Sequence, residues 1–371
     1  MQNVVYDLPA AAKQCASGTL TLVTCQECGH TFNGSFDPSL VVYDESYNNN
    51  VPSEVMDRYY GALAEYLYQK YNLKRSPLVD VGCGKGIFLK KLAEKYPDVP
   101  ALGIDPSYEP ANDFDSGNKL TFIRDIFRAQ HLHSKPSLVV CRHVLEHISD
   151  LPRFLADIRA ALSSSLPVPF FIEVPDLTWI INHRAFWDFC YEHCNYFTAE
   201  SLQECLRLSG YEVDKATAAF GGQYLWIEGQ ISPHQPRKSS EPTTAIPATT
   251  KRLQDYGSQE QKQINRARAF LQQKREEKRH TVIWGMATKG VLFTHLIDPD
   301  SILVNQCVDV NPDKQGKFLP ITGRIIQAPS TISALSVNPV VIVMNPNYKE
   351  EILALCGTLG LESDLYDVDQ L

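Results

Sequence analysis

The chain has 371 residues, 44% of them hydrophobic, which is more than one ordinary domain needs to fill its core, so two or three domains are expected. A net charge of -8 is the wrong sign for a surface that neutralises phosphate backbones, which excludes nucleic acid as the natural partner. No run approaches the ~20 apolar residues of a membrane span, and Met1 to Pro9 lack a basic-then-apolar leader, so a cytoplasmic protein with no membrane partner is expected, its scattered cysteines reduced.

The first motif in chain order is Cys25-Gln26-Glu27-Cys28-Gly29-His30, the knuckle form in which two thiolates and a glycine turn grip zinc. One pair is half of a tetrahedral site. Cys15 and His30 are the remaining candidate ligands, and a vestigial knuckle without metal is the competing reading. Apolar residues at Tyr59, Leu63, Tyr66, Leu67 and Tyr71 then predict a helix by their spacing. Strands are predicted at Leu78–Gly82, Ala101–Asp105, Leu120–Arg124, Ser137–Cys141 and Pro169–Val174, with helices at Ile87–Tyr96 and Leu151–Leu162. Such alternation requires crossover connections, hence a mostly parallel sheet with helices on both faces. Two further β-like runs, Tyr211–Ala216 and Gln223–Gly229, flank Gly221-Gly222 and predict an antiparallel hairpin that closes the sheet.

Ser232 to Thr250 is rich in Pro, Ser and Thr and reads as a linker. Lys251 to His280 carries nine Lys/Arg against four Asp/Glu and predicts a solvated connecting helix. A last α/β unit follows, with strands at Thr281–Trp284, Val304–Val310 and Val340–Met344 and a helix at Lys349–Leu359. The expected division is an N-terminal knuckle region (1–50), a cofactor domain (51–231), a linker and helix (232–280) and a C-terminal α/β domain (281–371).

The strand ending in Asp80 runs into Gly82, Gly84 and Gly86 before a helix begins, so the backbone can pass close to a ligand and the helix start offers it free N–H groups. A dinucleotide fingerprint spaces its glycines G-x-G-x-x-G, whereas Ile87 fills the last position here. A sulfonium cofactor instead needs a carboxylate near its amino acid end and another on its ribose. Asp80 and Asp105 fit those places, and Asp125 is placed to receive an adenine amino group. Each acid alone would read as a cap or an exposed loop residue. Three of them at successive strand ends favour S-adenosylmethionine.

The segments Val79-Asp80-Val81-Gly82-Cys83-Gly84-Lys85-Gly86, Arg142-His143-Val144-Leu145-Glu146-His147-Ile148, Tyr191-Glu192-His193-Cys194-Asn195-Tyr196-Phe197 and Gly285-Met286-Ala287-Thr288-Lys289-Gly290 resemble class I methyltransferases. More narrowly, they resemble the NDP-hexose C-methyltransferase-like family over nearly the whole chain. The resemblance implies a Rossmann-like doubly wound sheet, an N-terminal zinc-binding region, and a second C-terminal Rossmann-like domain that packs over the cleft and helps bind a nucleotide-linked sugar. It implies His193 as the base that removes a proton from a sugar carbon beside a keto group, with Glu192 as its partner and Tyr196 positioning the sugar. Cys190 stands where the family has a tyrosine, and its upstream C-x-x-C has no counterpart here.

A base is also what the chemistry asks of the protein, because a sulfonium already carries a good leaving group and what remains is alignment and deprotonation. His193 lies after the fifth strand, where loops cross the mouth of the cleft; a polar residue satisfied by loop backbone is the competing reading. His143, Glu146 and His147 are expected to open a helix after the fourth strand, His143 facing the cofactor and the others hydrogen-bonding structurally. In the last unit Lys289 precedes a glycine with no Ser/Thr after it, which excludes an ATP-type loop. Lys289 is expected to face a diphosphate, joined by Asn345 and Tyr348, with a cap as the alternative for Asn345. The expected function is methyl transfer to a small molecule, a carbon of a nucleotide-linked keto-deoxysugar by the resemblance. O- or N-methylation and a non-catalytic binding protein are the alternatives.

Overall fold

The computed structural model describes residues 4–43, 52–109, 119–234, 246–334 and 338–371. Most of the expected linker, residues 235–245, lies outside the described residues. Pro9 starts a short helix, α1 (Pro9–Lys13), where its missing N–H loses nothing. Strands β1 (Leu22–Thr24) and β2 (Thr31–Asn33) pair antiparallel around the Cys25–His30 turn. That turn is tied by the Cys25 N–H to the His30 carbonyl (2.8 Å) and the Gly29 N–H to the Cys25 carbonyl (3.0 Å).

Ser53 caps α2 (Glu54–Lys70) by accepting from the Val55 and Met56 N–H groups, with Glu54 and Asp57 at its positive end. The helix therefore starts at its cap rather than at Tyr59, the first residue of the apolar spacing. The chain continues through β3 (Leu78–Val81), α3 (Ile87–Lys95), β4 (Ala101–Ile104), β5 (Leu120–Ile123), β6 (Leu138–Arg142) and α4 (Leu151–Ala161). It goes on through β7 (Val168–Pro175), α5 (Leu177–Asn182), β8 (Asn195–Tyr196), α6 (Ala199–Leu208), β9 (Tyr211–Ala219) and β10 (Tyr224–Ile231). The main sheet has the order β5-β4-β3-β6-β7-β10-β9, its first five strands parallel and β10 antiparallel to both neighbours. This is the doubly wound sheet with a closing hairpin that the pattern predicts. The winding reverses between β3 and β6, so a ligand crevice opens at their carboxyl ends.

One local expectation fails there. His143, Glu146 and His147 open no helix: a single 3-10 turn spans Leu145–His147, and α4 begins at Leu151, where Asp150 accepts from the Arg153 N–H. An N-cap and a proline in the first turn favour the later start over the apolar pattern.

Helix α7 (Ile246–Glu276) leads into β11 (Thr281–Trp284), α8 (Thr288–Ile297), β12 (Gln306–Val308), β13 (Ile326–Gln327), β14 (Val340–Val343), α9 (Lys349–Thr358) and β15 (Asp364–Asp367). These strands form a second all-parallel sheet, order β13-β12-β11-β14-β15. Helix α7 is less solvated than its charge suggests. Its Tyr256, Ile264, Ala267 and Leu271 are buried in one apolar cluster with Phe186 and Trp187 of the first unit and Phe293 and Ile342 of the second. The N-terminal segment binds both units. Strand β2 pairs with β8 next to His193, while Tyr6 and Phe318 exchange backbone hydrogen bonds of 3.0 and 2.8 Å. Among the described residues no helix is long and apolar enough to cross a membrane.

Candidate active site

The glycine loop sits at the carboxyl end of β3, all four of whose residues are buried. Gly82 and Gly84 take φ of +80° and +55°. A Cβ on Gly82 would lie 2.3 Å from the Val144 Cγ2, whereas one on Gly84 would meet nothing within 4 Å. Gly82 thus lets the loop pack and Gly84 leaves its outer face open. The Gly84 N–H donates to the Asp105 Oδ2 (2.8 Å), and the other oxygen of Asp105 accepts from the Ser107 N–H (2.7 Å) and hydroxyl (2.6 Å). Gly86 enters α3 at φ +75°.

Asp80 is 3% exposed and its Oδ1 has no hydrogen-bond partner among the described residues. Burial pushes its carboxyl up to about 7, with Asp105 and Glu173 adding to the rise and Arg142 opposing it. Asp125 accepts from the Ile126 N–H (2.7 Å) and pairs with Arg128, contacts that hold its carboxyl below the usual range. Ile126 beside it is 60% exposed, an apolar surface that motif reading passed over. An unpartnered buried carboxylate oxygen, an open glycine face and exposed apolar surface by Asp125 together fit a ligand with a cationic end and a flat base, as S-adenosylmethionine has.

Behind this crevice lies a buried ionic network. The Arg142 Nη2 and the His143 Nε2 each stand 2.8 Å from the Glu173 Oε1, and Tyr59 donates to Glu173 as well. Burial opposes the charge on Glu173, but Arg142 and His143 outweigh it and hold the carboxyl far below its usual range. His143, at φ +52°, also stands 3.4 Å from the Glu146 Oε1. Burial works against its charge too, yet Glu146 and Glu173 bring the imidazole up to about 9. His143 is therefore a cation held between two acids at the edge of the site.

Between the two sheet units lies a cavity of about 330 Å³. His143, Glu146, His147, Trp179, His193 and Tyr224 line it from the first unit; Lys289, Asp309, Lys314, Asn345 and Tyr348 line it from the second. The His193 ring stands edge-on to His147, centroids 4.8 Å apart, and its Nδ1 is buried without a hydrogen-bond partner among the described residues. Burial, then the neighbouring His147, pushes His193 down to about 3, so the ring is neutral and keeps its lone pair.

The residues expected beside His193 are placed differently from one another. Glu192 is 1% exposed; its backbone carbonyl lies 3.0 Å from the His147 Nδ1, and its charge acts on Lys314. Tyr196 does not line the cavity. Its hydroxyl donates to the Cys190 carbonyl (2.8 Å) and its ring stands 6.1 Å from that of His193. Lys289 lines the cavity, but it is ion-paired with Asp188 and stands 5.4 Å from the Trp179 ring centroid. Asn345 lines the cavity and takes the cap role, accepting from the Asn347 N–H (3.1 Å), and it also exchanges hydrogen bonds with Gln223 (2.9 and 3.1 Å) across the unit boundary, a contact that was not expected.

Lys314 and Asp309 were not among the expected residues. Burial lowers the Lys314 ammonium, which points 3.3 Å from the Met286 carbonyl, and Asp309 and Glu192 counter the effect. Asp309 repeats the role of Asp105, accepting from a glycine-loop amide, the Met286 N–H at 2.8 Å. The signal was present: an acid ends the strand after a second glycine loop, as Asp105 does after the first.

The cysteine knuckle does not fit zinc. Among the described residues only Glu146, His147 and His193 bring three metal-ligand atoms within reach of one another. His30 is committed to Asn195 (3.0 Å) and packs on Phe32 and Phe197.

Residues 48–216 match the family model of a methyltransferase domain, and residues 239–358 match that of a C-methyltransferase C-terminal domain. No curated protein matches the chain significantly. Solved structures similar to it include the pyocyanin biosynthetic protein PhzM (13% identity, 46% of this chain and 54% of that one, TM-score 0.36). Another is magnesium protoporphyrin IX methyltransferase from Synechocystis PCC 6803 with bound SAH (16% identity, 50% and 91%, TM-score 0.36). The chain spans about half the length of the first. At these values the likenesses carry no argument about acceptor or mechanism.

Proposed function

We propose that the chain is an S-adenosylmethionine-dependent methyltransferase of class I, and that its acceptor is a small molecule held in the cavity between the two units and methylated at carbon. A keto-sugar carried on a nucleoside diphosphate is the acceptor this reading favours. The observation that carries it is His193: an imidazole in the cavity wall, its Nδ1 unpartnered among the described residues, beside the Glu146 carboxylate, whose charge counters the loss of basicity that burial imposes on the ring. A carbon acid beside a carbonyl needs such a base, while many oxygen and nitrogen nucleophiles need less help. The match of the second unit to a C-methyltransferase C-terminal domain supports the same acceptor class.

In this reading residues 51–231 hold the methyl donor and residues 281–371 close over the acceptor. The donor supplies an electrophilic methyl group. Asp80 takes its ammonium, Asp105 its ribose and Asp125 its adenine, while Gly84 admits it to the backbone. His193 takes the proton from the acceptor carbon, and the Glu146 charge steadies the imidazolium. A diphosphate would draw Lys289 away from Asp188, with Lys314 deeper in the same wall and Tyr348 and Asn345 at the rim. Glu192 acts through the backbone carbonyl that holds His147 and through its charge on Lys314, and Tyr196 braces the loop.

His193→Ala should leave S-adenosylhomocysteine affinity nearly intact, as the residue lies on the acceptor side, and slow transfer by ~10²–10⁴. With S-adenosylhomocysteine in place of the donor, the wild type should exchange the acidic acceptor hydrogen in heavy water and the variant should not. Near wild-type turnover by the variant would remove His193 as the base. Turnover on an oxygen or nitrogen acceptor would retain methyl transfer and discard the carbon.

A further inference from the structure

Glu146, His147 and His193 each bring one ligand-type atom within 4.8 Å of the others, a set that proton abstraction uses only in part. We propose that they form a binding site for a divalent transition-metal ion, with two imidazoles and one carboxylate as ligands. Glu146 is 1% exposed; its Oε1 faces His143, while its Oε2 is buried with no hydrogen-bond partner among the described residues. A buried carboxylate oxygen without a donor is unfavourable until a cation or donor reaches it. The Nδ1 of His193 is in the same condition.

His147 is oriented for the task by its other nitrogen. Its Nδ1 lies 3.0 Å from the Glu192 carbonyl and 2.7 Å from the Tyr43 hydroxyl, which itself donates to that carbonyl (3.2 Å). A carbonyl only accepts, so Nδ1 carries the proton and Nε2 presents its lone pair, the arrangement in which metal-bound histidines are held by a backbone partner. Three ligands about 2.1 Å from a common ion would stand roughly 3.4 Å apart in a tetrahedral site, so side-chain rotations must draw these atoms inward. Imidazole with carboxylate selects zinc, cobalt, nickel or ferrous iron over magnesium or calcium. All three residues line the cavity, which leaves open coordination positions toward the acceptor. A metal there would occupy the lone pair of His193 and block transfer; that consequence, unlike the site itself, rests on the reading of His193 as the base.

Cobalt(II) titrated into the full chain carrying Cys25→Ser and Cys28→Ser should give visible ligand-field bands at one equivalent, lost on adding zinc. His147→Gln and Glu146→Gln in that background should each weaken binding by more than ~100-fold, beyond the 10–100-fold that outer-sphere partners contribute. S-adenosylhomocysteine binding serves as the check that each variant is folded, and a variant that fails it is replaced by His193→Asn. No bands, or bands indifferent to these substitutions in folded protein, overturn the site. Cobalt bound at these residues with transfer undiminished keeps the site and discards His193 as the base.

Discussion

Asp80 carries a carboxyl that burial pushes up to about 7, yet a donor with a cationic amino acid end needs it ionised. A displacement of that size corresponds to about 4 kcal/mol between the charged and neutral forms. The folded value is raised, so this contribution to stability is fully present below the unfolded value of about 3.9 and is lost as pH rises through about 7. Two results should follow. Binding of S-adenosylhomocysteine near pH 6.5 should release up to about three quarters of a proton, the fraction of Asp80 protonated there, seen by calorimetry in buffers of different ionisation enthalpy. Asp80→Asn should bind more weakly, release none, and lose less stability than the wild type between pH 4 and 7. Binding without proton release would mean that Asp80 is already charged or lies off the ligand.

Elements respond to substitution according to how their backbone is held, and two glycines separate the cases. Gly82 sits at φ +80° with Val144 pressed against it, so Gly82→Ala should destabilise the protein by ~1–3 kcal/mol and abolish cofactor binding. Gly257 lies exposed within α7 with nothing within 4 Å of an added Cβ, so Gly257→Ala should stabilise by ~0.5–1 kcal/mol. Denaturant midpoints check both. A stabilised Gly82→Ala would remove the strained loop, and a destabilised Gly257→Ala would mean that α7 is not continuous there. The glycine loop was legible in sequence because its φ demands are local. The strands β1, β2, β8 and β13 were not, because two or three residues carry no readable alternation. The start of α2 was missed because Ser53, a cap, lies outside the apolar spacing.

At the scale of the molecule, the largest apolar cluster among the described residues joins α5 and its following loop, α7, α8 and the second sheet through Leu177, Trp187, Leu271, Phe293 and Ile342. Neither unit can leave without exposing that surface, so thermal unfolding should be a single calorimetric transition with equal calorimetric and van't Hoff enthalpies. Two resolved transitions would show that the units are separate cooperative bodies. The same packing brings Lys289 and Lys314 of the second unit opposite His193 of the first.

The sequence by itself determined the α/β class, the closing hairpin, the glycine loop and the row of acids at the strand ends. Side-chain periodicity and the backbone demands of a strand-loop-helix turn act between neighbours in the chain, so they can be read there. Only the tertiary structure decided how the candidate groups are committed: Lys289 to Asp188, Tyr196 to the Cys190 carbonyl, His143 between two acids, and Glu146, His147 and His193 in one cluster. These commitments depend on which distant side chains meet and how far water is excluded, and burial and neighbouring charge, which no local spacing encodes, then set the ionisation of each group.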